Sequence, residues 1–315
     1  MSDDANQGCA PVAIIMFNRP ELTKKVAHRV AQAKPEVVYL IADGPRPDHP
    51  GDAEACAATR EAVLSIEWLC EVRTEFADAN LGLRERVSSG LDRVFAEVEH
   101  AIIIEDDCLP DPSFLPYATE LLERYRTDER LGVISGNNFL RGKRVTDDSY
   151  FFSADMRIWG WATWRRVWSD FSEHGLRHHW SSDEAKAAVS RLSSSGRRRA
   201  LIADAERAHS INSWALPFVL HAQKRRYLSA VPENNLVSNV GFGGGSTHTK
   251  FESFTAKVQS DPVRFPLRHP VSVTENTRAG VIEARIARRQ WLSFPLLHPI
   301  DFLGRVVRYL KVISS

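Results

Sequence analysis

The chain has 315 residues, 43% of them hydrophobic and 26% charged, the composition of a folded, water-soluble protein and not of a collagen-like, low-complexity or wholly disordered one. Lysine and arginine total 41 against 40 aspartates and glutamates, and a net charge of +1 supplies no chain-wide field for a nucleic-acid partner. Cys9, Cys56, Cys70 and Cys108 form no CxxC pair, Met1–Gln7 lacks the order of an export signal, and apolar runs such as Val12–Phe17 fall short of the ~20 residues of a membrane span, so the protein reads as reduced and cytoplasmic.

Residues 1–10 read as a disordered N-terminus. From Pro11 the pattern is a buried strand (Val12–Phe17), an Asn-Arg-Pro turn, an amphipathic helix from near Glu21 and a second strand, Val37–Ala42. Asp43-Gly44-Pro45 stops that strand, and a loop leads to a helix over Ala53–Leu69. A third strand (Glu71–Phe76), an Asn80-Leu81-Gly82 turn, a helix through Val98 and a fourth strand (Ala101–Glu105) continue the alternation, which predicts an α/β, mostly parallel sheet flanked by helices. The second half is less regular: a helix over Pro112–Thr127, a strand at Leu131–Ser135, an aromatic-rich segment (Tyr150–Trp168), a helical stretch (Ser181–Ser210), a strand near Tyr227–Val231 and a glycine-rich loop, Gly241–Ser246.

Residues 271–315 form a basic amphipathic C-terminal segment, and over Val281–Lys311 Arg285, Arg288, Arg289, Arg305, Arg308 and Lys311 outnumber Glu283 and Asp301. Two readings stay open: peripheral contact with the inner face of a membrane, or a helix packed on the domain or on a partner subunit.

The sharpest chemical feature is Glu105-Asp106-Asp107, three carboxylates directly after a buried strand. Adjacent carboxylates repel and raise one another's pKa, so a divalent cation is the simplest neutralising partner, and hard oxygen donors select Mg²⁺ or Mn²⁺. Ligands of open α/β sheets bind at strand C-termini, which suggests a phosphorylated ligand. A forked guanidinium at Arg19 suits a diphosphate, although a surface arginine in a turn is the simpler alternative. Asp43 is also ordinary Asp-Gly turn chemistry, and Arg84 has Glu85 and Asp92 as candidate partners.

Six segments in order, IIMFNRP, LIADGPR, NLGLRERV, IIIEDDCLPDPSF, IWGWATWRRVW and LVSNVGFGGGSTHT, run from about Pro11 to Pro270. Together they resemble bacterial GT-A (Rossmann-like) glycosyltransferases of the family 2 kind and, more distantly, N-acetylglucosaminyltransferases with a Glu-Asp-Asp motif of the DxD type. The resemblance implies a GT-A domain over 11–270, with a nucleotide-binding half (11–110) and a less regular acceptor half (111–270). It implies a metal-dependent, inverting transfer from a nucleotide-diphosphate sugar, UDP-sugar favoured, to a glycan or lipid-linked hydroxyl. It places Arg19 and Asp43 in the nucleotide pocket, Asp106 toward the ribose, Glu105 toward the sugar, Asn80 and Arg84 on the donor, and Asp107 with His248 on Mn²⁺ or Mg²⁺.

Three of the eight tryptophans fall within Trp159–Trp164. Indole faces pack on sugar C–H surfaces, so Gly160 and Trp161 are expected to wall the site, with Trp159 or Trp164 closing the core. Such enzymes place a basic carboxylate beside a late tryptophan, here Trp214, but this chain reads Asn212-Ser213-Trp214-Ala215. Asp155, Asp204, Glu206 and Glu233 remain as candidates for the general base. The alternatives are a catalytically impaired nucleotide-sugar-binding protein, or a nucleotidylyltransferase, against which the glycine-free turn Met16–Pro20 counts.

Overall fold

The computed structural model describes residues 8–241 and 258–297. The first half alternates β1 (Val12–Met16), α1 (Pro20–Gln32), β2 (Val37–Ala42), α2 (Asp52–Leu64), β3 (Glu71–Phe76), α3 (Leu83–Glu97) and β4 (His100–Glu105). The strands β1 and β2 are buried throughout, which is why they read as unbroken apolar runs; the polar β3 sits partly exposed at the sheet edge. These four pair in parallel in the order β3-β2-β1-β4. The chain steps outward from β1 to β3 and then returns to β4, so right-handed crossovers put α1 and α2 on one face and α3 on the other. Accordingly α1 packs on α2, while Gly90 lets α3 approach Ile41 of β2 closely.

The second half adds β5 (Cys108–Pro110), α4 (Phe114–Arg124), β6 (Leu131–Ser135), β7 (Tyr150–Ser153), β8 (Trp161–Trp164), α5 (Arg165–His174), α6 (Ser182–Val189), α7 (Ser195–Ala205), α8 (Ala215–Lys224), β9 (Leu228–Pro232), β10 (Val237–Asn239) and α9 (Thr277–Leu297). The main sheet runs β3-β2-β1-β4-β8-β6-β9-β7, with β8 and β7 antiparallel to their neighbours. The result is an α/β fold on a mixed, mostly parallel sheet, as expected from the sequence. A separate β5–β10 ribbon holds the chain after Asn239 against Asp107.

Several boundaries differ from the expected ones for local reasons. Helix α2 stops at Leu64 because the chain folds back and Trp68 Nε1 donates to the Val63 carbonyl at 3.0 Å. The stretch 181–210 is two helices: Ser181 opens α6 in a capping box with Glu184, and Ser194 Oγ accepts from Arg197 N to open α7. Residues 8–10, grouped by sequence with the disordered terminus, are held in place, with Ala10 buried and its N–H donating to Thr119 Oγ1 at 3.1 Å. The C-terminal segment packs on the body as far as it is described: Asn276 N donates to the Phe152 carbonyl, Ala279 is buried and Glu283 pairs with Arg157. No helix among the described residues is long and apolar enough to cross a membrane.

Candidate active site

Four parallel strands end at one edge of the sheet, and each hands on a loop that bears a candidate residue. After β1 come Phe17, Asn18 and Arg19; after β2, Asp43; after β3, Asn80; after β4, Asp106 and Asp107. The first two loops are tied together by Asp52, which accepts from Asn18 Nδ2 at 2.8 Å and pairs with Arg46 Nε at 2.6 Å and Nη2 at 3.1 Å. Those Arg46 hydrogen bonds hold the Asp52 carboxyl down at about 2.

Arg19 and the carboxylates of β4 meet at this edge. Arg19 Nη1 lies 3.1 Å from Asp107 Oδ2 and 3.5 Å from Asp106 Oδ1, and the Phe17 N–H donates to Asp106 Oδ2 at 3.2 Å. An arginine thus supplies part of the counter-charge to these carboxylates, beside any divalent cation. Desolvation, followed by the charges of Asp107 and Asp106, pushes Glu105 up to about 8; desolvation takes Asp106 to about 6 against the pull of Arg19. Folded Glu105 keeps its proton to about 8 while the unfolded residue releases it near 4.5, so this residue's contribution to stability falls as pH rises across that window. Glu105→Gln should therefore flatten the decline of the melting temperature between pH 5 and 8, measured in chelator, and raise it at the alkaline end; an unchanged profile would show that Glu105 ionises normally.

Asp43 is a buried clasp. Its oxygens accept from Gly44 N (2.8 Å), Leu81 N (2.8 Å), Gly82 N (3.0 Å) and Asn80 Nδ2 (3.0 Å), so it fixes the turn after β3. Arg84 points its guanidinium into the carbonyls of Ala208, His209, Ile211 and Ser213 and is held by that loop, with neither Glu85 nor Asp92 as its hydrogen-bond partner. Asn212 Oδ1 accepts from the Arg84 N–H at 3.0 Å, capping the first turn of α3. The asparagine at the position expected of a base thus docks one half of the molecule on the other.

A cavity of about 1270 Å³ opens among α7, α8, α9 and the 153–159 loop. Asn137, Phe139, Asp155, Arg157, Trp159 and Glu283 are among its lining. Of the candidate bases, Asp155 alone lines it. Asp204 is half-buried and paired with Arg207, Glu206 accepts from Ser182 Oγ on the surface, and Glu233 lines a separate pocket of about 340 Å³.

The indoles are distributed differently from expectation. Trp161 and Trp214 are buried and stack on one another at 5.5 Å and 17°, because β8 is an interior strand covered on both faces. Trp159 is the one of the three clustered tryptophans that lines the cavity, its backbone N–H donating to Asn137 Oδ1 at 3.1 Å. Gly160 is needed for shape: φ is +59°, and an added Cβ would lie 2.7 Å from Val237 Cγ2.

His248 lies outside the described residues. Among those described, no three His, Cys, Asp or Glu side chains converge on a common point as a metal group. Sequence reasoning missed Arg157 and Glu283, paired across the cavity wall, although an arginine in an aromatic run and an acid in a basic helix were both visible signals.

No family profile and no curated protein matches the sequence. Among solved structures the chain is similar to UDP-glucose pyrophosphorylase complexed with UDP-glucose (9% identity, 73% of this chain and 93% of that one, TM-score 0.36). It is similar also to apo UDP-glucose pyrophosphorylase (10%, 73% and 93%, TM-score 0.37) and to apo mouse xyloside xylosyltransferase 1 (12%, 70% and 84%, TM-score 0.32). Likeness at such scores fixes no activity, and the residues of the site carry the functional reading.

Proposed function

We propose that the protein is a glycosyltransferase that moves a sugar from a nucleotide-diphosphate sugar, UDP-sugar favoured, to a hydroxyl of a glycan or lipid-linked acceptor, with inversion. One observation carries the reading: Arg19 bridges Asp106 and Asp107 at the edge where four parallel strands end. A forked cation and hard carboxylate oxygens side by side are the two groups a diphosphate and its divalent cation need.

The donor set fits Mg²⁺ or Mn²⁺ held by one or two carboxylates and completed by substrate phosphate. Asp107, with Asp106 beside it, would hold the ion, which when bound supplies Lewis-acid stabilisation of the leaving diphosphate. Arg19 orients that diphosphate, Asp43 keeps the Asn80 turn in place, and the cavity receives the acceptor. There Asp155 takes the hydroxyl proton as the acceptor oxygen attacks the sugar carbon and the bond to the diphosphate breaks. In this reading residues 11–110 serve the donor and 111–270 the acceptor; the protein works in the cytoplasm, and the residues beyond 297 are the candidate contact with the inner membrane face.

A panel of nucleotide sugars with and without Mn²⁺, read as a shift in melting temperature and as release of nucleoside diphosphate, tests this directly; no stabilisation and no release by any donor would overturn it. Arg19→Lys should weaken nucleoside diphosphate binding by about 1–2 kcal/mol and leave the nucleoside almost unaffected, because a point-like ammonium loses the forked contact. Equal losses for both ligands would return Arg19 to a structural role.

A further inference from the structure

The smaller pocket of about 340 Å³ is lined by Lys143, Arg144, Arg264 and Arg268, with Glu233 the one acid among its described lining. Three stretches of chain bring these residues together: the turn 142–146, the end of β9 and the segment 258–268. Hydrogen bonds brace them, Asn234 Nδ2 donating to the Pro262 carbonyl at 3.2 Å and the Arg268 N–H to Ser149 Oγ at 2.9 Å. All four cationic residues are exposed, so their charged ends are open to a dissolved ligand. Arg144 pairs with Asp147 at 3.2 Å, but among the described residues no carboxylate forms an ion pair with Lys143, Arg264 or Arg268, and Glu233 pairs with none of them. Like charges gathered in this way repel, and an anion between them relieves the cost. Guanidinium forks match phosphate oxygens, to which an ammonium adds a point charge. Glu233 repels a bare anion yet accepts from hydroxyls, so the pocket as a whole is matched to an anion that also carries hydroxyl groups. Strands β6 and β9 run in the direction of β4, which puts Glu233 at the same edge of the sheet as Asp107. Since β9 is three strand steps from β4, about 14 Å, this pocket is separate from the Arg19 site.

We infer that this pocket binds a phosphorylated saccharide, its phosphate held by Lys143, Arg264 and Arg268 while a sugar hydroxyl donates to Glu233. The site is additional to the proposed transfer site and does not depend on it. A neutral sugar would leave the cations without a counter-charge, and a bare phosphate would meet Glu233 with no hydroxyl to offer.

The test is calorimetry on the full chain in chelator, without nucleotide, with glucose 6-phosphate, glucose and inorganic phosphate as probes, beside co-sedimentation with phosphatidylcholine vesicles containing phosphatidylglycerol. Glucose 6-phosphate should bind about tenfold or more tightly than glucose, and more tightly than inorganic phosphate, with an affinity that falls as salt is added. Arg264→Gln together with Arg268→Gln, both at exposed positions that tolerate substitution, should lower that affinity by about tenfold or more and leave UDP binding with Mn²⁺ at its wild-type value. Glu233→Gln should narrow the preference for glucose 6-phosphate over inorganic phosphate, because it removes the charge that repels the bare anion. No binding of glucose 6-phosphate, inorganic phosphate matching it, an affinity that survives in the double variant, or a preference unmoved in Glu233→Gln would each overturn the inference. Vesicles bound through Arg264 and Arg268 in place of glucose 6-phosphate would also overturn it and make this surface a membrane contact. Wild-type protein that binds glucose 6-phosphate but not UDP with Mn²⁺ counts against the transfer reading alone, and the reverse against this pocket alone.

Discussion

Asp155→Asn should lower single-turnover transfer by about 10²- to 10⁴-fold while nucleotide binding stays at its wild-type value, because a positioned base contributes that much to removing the acceptor proton and nothing to holding the donor. The candidate is singled out by position. Asp155 lines the cavity, its buried Oδ1 lies 3.6 Å from Arg197 Nε without a hydrogen bond, and its N–H is fixed by Ser153 Oγ at 3.1 Å. Asp204→Asn, Glu206→Gln and Glu233→Gln serve as controls and should leave transfer within a small factor of wild type, since those carboxylates lie on the surface or in another pocket. A full loss in any control with Asp155→Asn unaffected would move the base elsewhere.

The largest effect on stability is expected at Trp161→Ala, about 3–5 kcal/mol, measured by urea unfolding. Trp161 has no solvent exposure; it stacks on Trp214 and meets Phe218 at 5.1 Å, and the sheet closes over it between β4 and β6. A cavity the size of an indole cannot collapse inside a strand paired on both sides. Trp159→Ala, at the cavity, should cost far less stability and should weaken saccharide binding instead. The opposite ranking would restore Trp161 as the sugar-facing wall.

How far the sequence could be read follows from how local each signal is. The strands Val37–Ala42, Glu71–Phe76 and Leu131–Ser135 are legible to the residue, since each is a β-type run closed by a turn or by a change of pattern at both ends. The carboxylates after β4 are legible for the same reason: an apolar strand that ends in three acids places those acids at the sheet edge. Asp43 and Arg84 are legible as unusual residues, but their partners are not. Two of the amides that donate to Asp43, those of Leu81 and Gly82, lie 38 and 39 residues away, and the carbonyls that Arg84 reaches lie more than 120 residues away, distances no periodicity encodes. The tryptophans fail for another reason, because burial of an indole in an interior strand and exposure of its neighbour in the preceding loop give the same composition. The Arg157–Glu283 pair joins a loop to the last helix, and the basic character of that helix hides the one acid that matters.

On the proposed reading, the edge bearing Arg19, Asp106 and Asp107 binds a nucleoside diphosphate together with a divalent cation. Calorimetric titration of UDP into the wild-type protein and into Asp107→Asn, each with Mn²⁺ and with chelator, tests it most directly. Mn²⁺ should strengthen UDP binding to the wild type by tenfold or more, on the order of 1.4 kcal/mol, and folded Asp107→Asn should lose this gain while its affinity in chelator is little changed. The same Mn²⁺-dependent gain in both proteins, or no UDP binding to either, would contradict it.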